Sequence, residues 1–141
     1  MRTRNARPRP SVLILEDEAD AREVWLEALE RAGYAPVAAR NGLEALGRLG
    51  QVSPAVILLD MLMPDMDGFD FLANLRVRHR WHHVSVVILS AVGPTISGVM
   101  DRHDAHTLGV AEVLPKPVPL DALVQAVRRT SGKKGVEGRI Q

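Results

Sequence analysis

The sequence predicts a three-layer, doubly wound α/β domain built on a five-stranded parallel sheet. Two observations carry that prediction. Five short apolar runs alternate with segments of helical period, the pattern of parallel strands joined by crossover helices. The middle run, AVILLD at 55–60, lacks polar alternation, as expected of a central strand covered on both faces. A length of 141 residues suits one domain, large enough to bury a core without disulfides or a structural metal.

Taken in order, SVLIL (11–15) reads as a buried first strand. Ala21, Val24, Trp25, Ala28, Leu29 and Ala32 then recur with the spacing of one helix face, and Gly33 suits the helix end. YAPVAA (34–39) reads as a second strand, placed at a sheet edge because Pro36 donates no ladder hydrogen bond. NGLEALGRLG (41–50) is a short second helix and AVILLD the third strand. Pro64-Asp65 and Asp67-Gly68 are turn pairs, with Asp67 placed to cap a third helix from about Gly68 to Val77. HRWHH (79–83) reads as a loop and VSVVILS (84–90) as the fourth strand. Gly93, Pro94 and Gly98 discourage an early helix, leaving room for a short one from about Val99 to Leu108. GVAEVL (109–114) gives the last strand, and Leu120, Leu123, Val124 and Val127 mark one face of a final helix.

The formal charge of +1 hides an asymmetry, because Arg2, Arg4, Arg7 and Arg9 crowd the start while Lys133, Lys134 and Arg139 lie near the end. These stretches are expected to be a flexible basic tail at 1–10 and a flexible tail at 131–141, flanking a domain at 11–130. Neither is read as a nucleic-acid arm, and direct nucleic-acid binding is not expected. No apolar segment follows the first arginines, so they do not form a secretory signal. No apolar run approaches the roughly 20 residues of a membrane helix. Zero cysteines exclude a disulfide scaffold, thiolate metal sites and cysteine nucleophiles, and fit a cytoplasmic location.

In an open parallel sheet the ligand site lies beyond the carboxyl ends of the strands. Here the first strand ends in Glu16 and Asp17, the third in Asp60 and the fourth in Ser90, while Lys116 follows the fifth. Convergence of these groups would give three carboxylates, a hydroxyl and an ammonium. Clustered carboxylates repel, so they raise a pKa, recruit a cation or cost stability. Mg²⁺ suits such a set because it binds one or two carboxylates and takes phosphate oxygens as further ligands. Phosphoryl transfer then requires mainly positioning and charge neutralisation around a carboxylate nucleophile, for which Asp60 is best placed.

The ordered set LEDE, DMLMPDMDG, LSA and LPKP, with NGLEAL after the second strand, resembles the receiver domain of two-component response regulators over about Ser11 to Arg129. The resemblance implies a flavodoxin-like (βα)5 sheet of order 2-1-3-4-5. It implies that Asp60 accepts a phosphoryl group from a sensor histidine kinase or a histidine phosphotransfer protein. It assigns Mg²⁺ to Asp17 directly, to Glu16 through water, to Asp60 and to the Leu62 backbone carbonyl. Ser90 and Lys116 would hold the phosphoryl group, and the bond to Pro117 is a candidate for the cis form. The protein would be a switch rather than a turnover enzyme, acting at most on its own phosphorylation and slow dephosphorylation. An aspartyl phosphatase would need a general acid where Leu62 stands. The eleven residues after 130 leave no space for an output domain, which suggests a single-domain regulator. Its downstream partner is unnamed by the sequence, and homodimerisation fits the family.

Two departures concern how phosphorylation would be read. The position three before the lysine, commonly aromatic in the family, is Val113, whose short branched side chain has restricted χ1. The interval from Ser90 to Lys116 is also longer than usual, and the excess falls around Gly93, Pro94 and Gly98. These features motivate an alternative, a phosphorylation-independent interaction module with an atypical output face. His79, His82, His83, His103 and His106 lack acids or cysteines at metal-ligand spacing and read as solvated. Trp25 reads as core and Trp81 as a loop residue that shields a strand end.

Overall fold

The computed structural model describes residues 8–60, 68–78, 84–90 and 109–140, the side chains at 68–69 and 132–140 excepted. Strand β1 spans Ser11–Leu15, helix α1 Ala19–Arg31, β2 Ala35–Ala39, α2 Gly42–Leu49 and β3 Val56–Asp60. Then come α3 at Gly68–Arg76, β4 at Ser85–Ser90, β5 at Val110–Pro115 and the final helix, here α4, at Leu120–Ile140. The strands form one sheet of order β2-β1-β3-β4-β5, every pair parallel. This is the expected doubly wound flavodoxin-like order. The segments expected to hold the turn pairs around Asp65 and Asp67, the HRWHH loop and the short helix at 99–108 lie outside the described residues.

Strand parity explains why the sheet needs helices on both sides. Leu13, Leu15, Ile57, Leu59, Val86 and Ile88 join one buried cluster with Leu49, Phe71, Leu72 and Leu75 from α2 and α3. Their alternates Val12, Ile14, Val56, Leu58, Val87 and Leu89 join a second cluster with Trp25, Leu29, Leu123 and Val127 from α1 and α4. Side chains alternate across a strand, so each unbroken apolar run feeds two cores. All five residues of β3 are buried, as the AVILLD stretch predicts. The edge strand β2 places Pro36 opposite Val12, where its missing donor is tolerated.

The helix ends follow local chemistry. Asn41 caps α2 by accepting from the Glu44 amide at 2.8 Å, and Glu44 reaches back to accept from the Arg40 amide at 2.6 Å, a reciprocal arrangement of the capping-box type. Helix α1 has Ala32 at its C-cap, and Gly33 follows with φ of 100°, the left-handed position that favours glycine.

Three details depart from the sequence reading. Val24 and Leu120, assigned to apolar helix faces, are 45% and 42% exposed, because the buried stripe of α1 centres on Trp25 and Leu29 and that of α4 on Leu123, Ala126 and Val127. Helix α4 also runs beyond residue 130 to Ile140, into the stretch read as a tail. Ser and Gly there lower helix propensity, but the Thr130 and Ser131 hydroxyls donate back to the Ala126 and Val127 carbonyls at 2.9 and 2.6 Å. That bonding satisfies both hydroxyls within the helix.

Candidate functional site

Strand register brings the polar groups together. Leu15 pairs with Leu59, so Glu16 and Asp60 are the next residues along two adjacent strands. Ser90 pairs with Pro115, and Lys116 follows. The two polar strand ends meet where the chain reverses its direction of progress across the sheet, the crevice in which open α/β sheets bind ligands.

One carboxylate oxygen from each of Glu16, Asp17 and Asp60 lies within 4.8 Å of the others. Glu16 and Asp60 are buried, at 1% and 5% exposure, whereas Asp17 is exposed. The Lys116 ammonium enters this cluster, with Nζ 3.1 Å from Glu16 Oε1 and 3.3 Å from Asp60 Oδ2. Glu16 Oε2 accepts from the Glu18 amide at 3.1 Å, so both Glu16 oxygens are engaged, while Asp17 faces solvent. Ser90 is buried, and its carbonyl accepts from the Lys116 amide at 2.7 Å, which fixes the spacing between these two positions. The Lys116–Pro117 peptide bond is cis.

Three carboxylates crowd one another here, and like charges this close raise a pKa or favour a bound cation. Burial pushes the Glu16 carboxyl above its ordinary range, and the neighbouring Asp60 adds to that rise despite the Glu18 amide and Lys116. Burial opposes the charge on Lys116, but Asp60 and Glu16 outweigh it and raise that amine. Among the described residues, Lys116 pairs with two of the three clustered carboxylates, Glu16 and Asp60. The donors are hard oxygens with excess negative charge, the chemistry that fits a hard divalent ion such as Mg²⁺.

Sequence reasoning did not find two neighbours of the cluster. Arg22, on the first turn of α1, donates through one nitrogen to the Glu16 and Asp17 carbonyls at 2.9 and 3.3 Å, pinning the backbone that presents both acids. Trp25, read as a core residue, is buried in the apolar cluster and also places its ring 5.8 Å beneath Lys116 Nζ. An arginine one turn into a helix that follows an acidic strand end is a weak signal, and the Trp25 contact spans too much sequence to leave one. Val113 stands on β5 opposite Ile88 and is 40% exposed. Leu62 lies outside the described residues, as do all five histidines and Trp81.

Comparison with known proteins defines the class. The family model for the response regulator receiver domain matches residues 12–128. The chain is 36% identical over 119 residues to the response regulator Rre1 of Synechocystis, covering 84% of this chain and 50% of that protein. It is 32% identical over 133 residues to the phosphate regulon regulator PhoB of Escherichia coli, covering 92% and 56% respectively. Among solved structures, the receiver domain of Francisella response regulator 1452 superposes with a TM-score of 0.77 at 27% identity, covering 89% of this chain and 98% of that one. The chemotaxis protein CheY4 of Vibrio cholerae gives 0.77 at 25% identity, covering 86% and 98%.

The chain belongs to the receiver domain family of two-component response regulators. Members are signalling switches phosphorylated by histidine kinases or phosphotransfer proteins, and they bind Mg²⁺ at an acidic pocket. The chain spans about half the length of the curated relatives it matches. Among the described residues, no helix is long and apolar enough to cross a membrane.

Proposed function

We propose that this chain is a phosphorylation-dependent switch whose receiver domain, residues 11–130, accepts a phosphoryl group on Asp60 from a sensor histidine kinase or a histidine phosphotransfer protein. The observation that carries the reading is the convergence of Glu16, Asp17, Asp60 and Lys116 at one end of the sheet. An Asp60 carboxylate oxygen attacks the phosphorus atom in line, the new O–P bond forms as the donor's bond breaks, and the donor leaves with that electron pair. Lys116 pairs with the transferred group, and the Ser90 hydroxyl donates to it. Asp17 and Asp60 would hold Mg²⁺ directly, Glu16 through water, and Leu62 through its carbonyl. The ion supplies neutralisation of phosphoryl oxygen charge.

The phosphorylated chain changes its affinity for a downstream protein, as a partner or as a second copy of itself. It is not a turnover enzyme, its action being limited to its own phosphorylation and slow dephosphorylation, and it works in the cytoplasm. Intact mass after incubation with Mg²⁺ and a small acyl phosphate tests the proposal. One added phosphoryl group on wild type and none on Asp60→Asn is expected; no addition, or equal addition to the variant, refutes it.

A second reading, a module that binds partners independently of phosphorylation, is favoured by Val113 in place of an aromatic side chain. Hydrogen exchange of β5 before and after acyl phosphate separates the two. Changed protection that Asp60→Asn abolishes supports the switch, and unchanged protection in a fully phosphorylated sample supports the second reading.

A further inference from the structure

Among the described residues, Lys116 approaches two carboxylates and one aromatic ring. Its ammonium carries three donors. Glu16 Oε1 and Asp60 Oδ2 account for two directions at 3.1 and 3.3 Å, and the face of the Trp25 ring lies below Nζ at 5.8 Å from the centroid. That distance is within the range of a cation–π attraction, in which the negative face of an aromatic ring draws an ammonium. Trp25 is 6% exposed and embedded among Ile14, Leu29, Leu58 and Leu123, so its ring is held by packing. Lys116 keeps 24% of its side chain exposed. A flexible four-carbon stem with a partly exposed ammonium thus rests on a rigid, apolar floor.

We propose that Trp25 is a positioning residue for Lys116. Its ring fixes the ammonium at the mouth of the acidic cluster and keeps water from one side of it. The inference rests on the phosphorylation reading above, because Lys116 is there the cation that meets the transferred group. The ring holds Lys116 near Asp60 when that pairing changes, since a π face attracts the ammonium without competing for a carboxylate oxygen. A leucine at 25 would preserve apolarity but remove the π face. A phenylalanine would keep a weaker one.

Two measurements on the full chain test this. The first is the rate of phosphorylation by a small acyl phosphate with Mg²⁺, followed by intact mass. Trp25→Leu is expected to slow it by roughly threefold to tenfold, and Trp25→Phe to recover most of the loss. The second uses Trp81→Phe, which leaves Trp25 as the sole indole of a chain with two tryptophans. Its emission is expected to shift on addition of Mg²⁺ and again with acyl phosphate, and Lys116→Met is expected to abolish the shift. A wild-type rate in Trp25→Leu, or a shift that persists without Lys116, overturns the proposal. Should Trp25→Leu fail to fold by circular dichroism, the emission comparison decides alone. If wild type gains no phosphoryl mass, the phosphorylation reading fails; the Mg²⁺-induced shift and its dependence on Lys116 still judge the Trp25 contact separately.

Discussion

Asp60 ends the most buried strand of the sheet, and its carboxylate shares one ammonium with Glu16. Like charges at this separation oppose folding unless a cation relieves them. Mg²⁺ is therefore expected to raise the melting temperature, since a ligand of the folded state alone stabilises it by mass action. In chelator, Asp60→Asn should be more stable than wild type by about 1 kcal/mol, roughly 4 °C for a domain of this size, and should respond weakly to Mg²⁺. Calorimetry with and without the ion checks both; a less stable variant in chelator would mean that the Lys116 contact to Asp60 outweighs the repulsion.

Among the elements, helix α2 offers a pH test independent of the site. The Arg40 amide bonded to Glu44, reinforced by the Arg40 charge, holds the Glu44 carboxyl below its ordinary value of 4.5. A carboxylate with a depressed folded pKa contributes stability that is present above its unfolded pKa and lost as pH falls through the folded one. Glu44→Gln should consequently be less stable than wild type at pH 7, with the difference vanishing below the folded pKa, as urea unfolding at several pH values would reveal. Asn41→Ala, which removes the reciprocal cap, should cost about 1 kcal/mol.

A second element-scale constraint lies at the opposite end of the sheet. The Arg76 guanidinium at the end of α3 donates to the Val84 and Gly109 carbonyls, each at 3.0 Å, tying a helix to the starts of β4 and β5. Gly109 has φ of 76°, and an added Cβ would sit 2.7 Å from Arg76 Nη2. Gly109→Ala meets both penalties, left-handed strain and a displaced guanidinium. A loss of about 1–3 kcal/mol in urea unfolding is expected, with the proposed phosphorylation of Asp60 retained.

At the scale of the molecule, the parts legible from sequence are those in which one residue type answers one demand. The runs in β1, β3 and β4 declared themselves because both faces are covered, and the acids at 16, 17 and 60 because they interrupt apolar strands at their ends. Pro36 announced an edge. Other features depend on neighbours that sequence distance conceals. Lys116 meets Glu16 across 100 positions, and no periodicity predicts that Trp25 lies beneath it. Val24 and Leu120 look like core because periodicity locates a stripe without fixing how widely its neighbours cover it. The continuation of α4 past 130 was hidden because serine and threonine can end a helix or bond back into it.

The two-faced strands have one further consequence. On β3, alternation assigns Ile57 and Leu59 to one core, Val56 and Leu58 to the other, and the next position to Asp60. Deleting one residue from this strand would interchange the two cores and retract the carboxylate from its companions in the same stroke. The chemistry and the packing are written in a single reading frame, so a change of chain length is tolerated beyond the strand ends, where spacing can drift without either being misread.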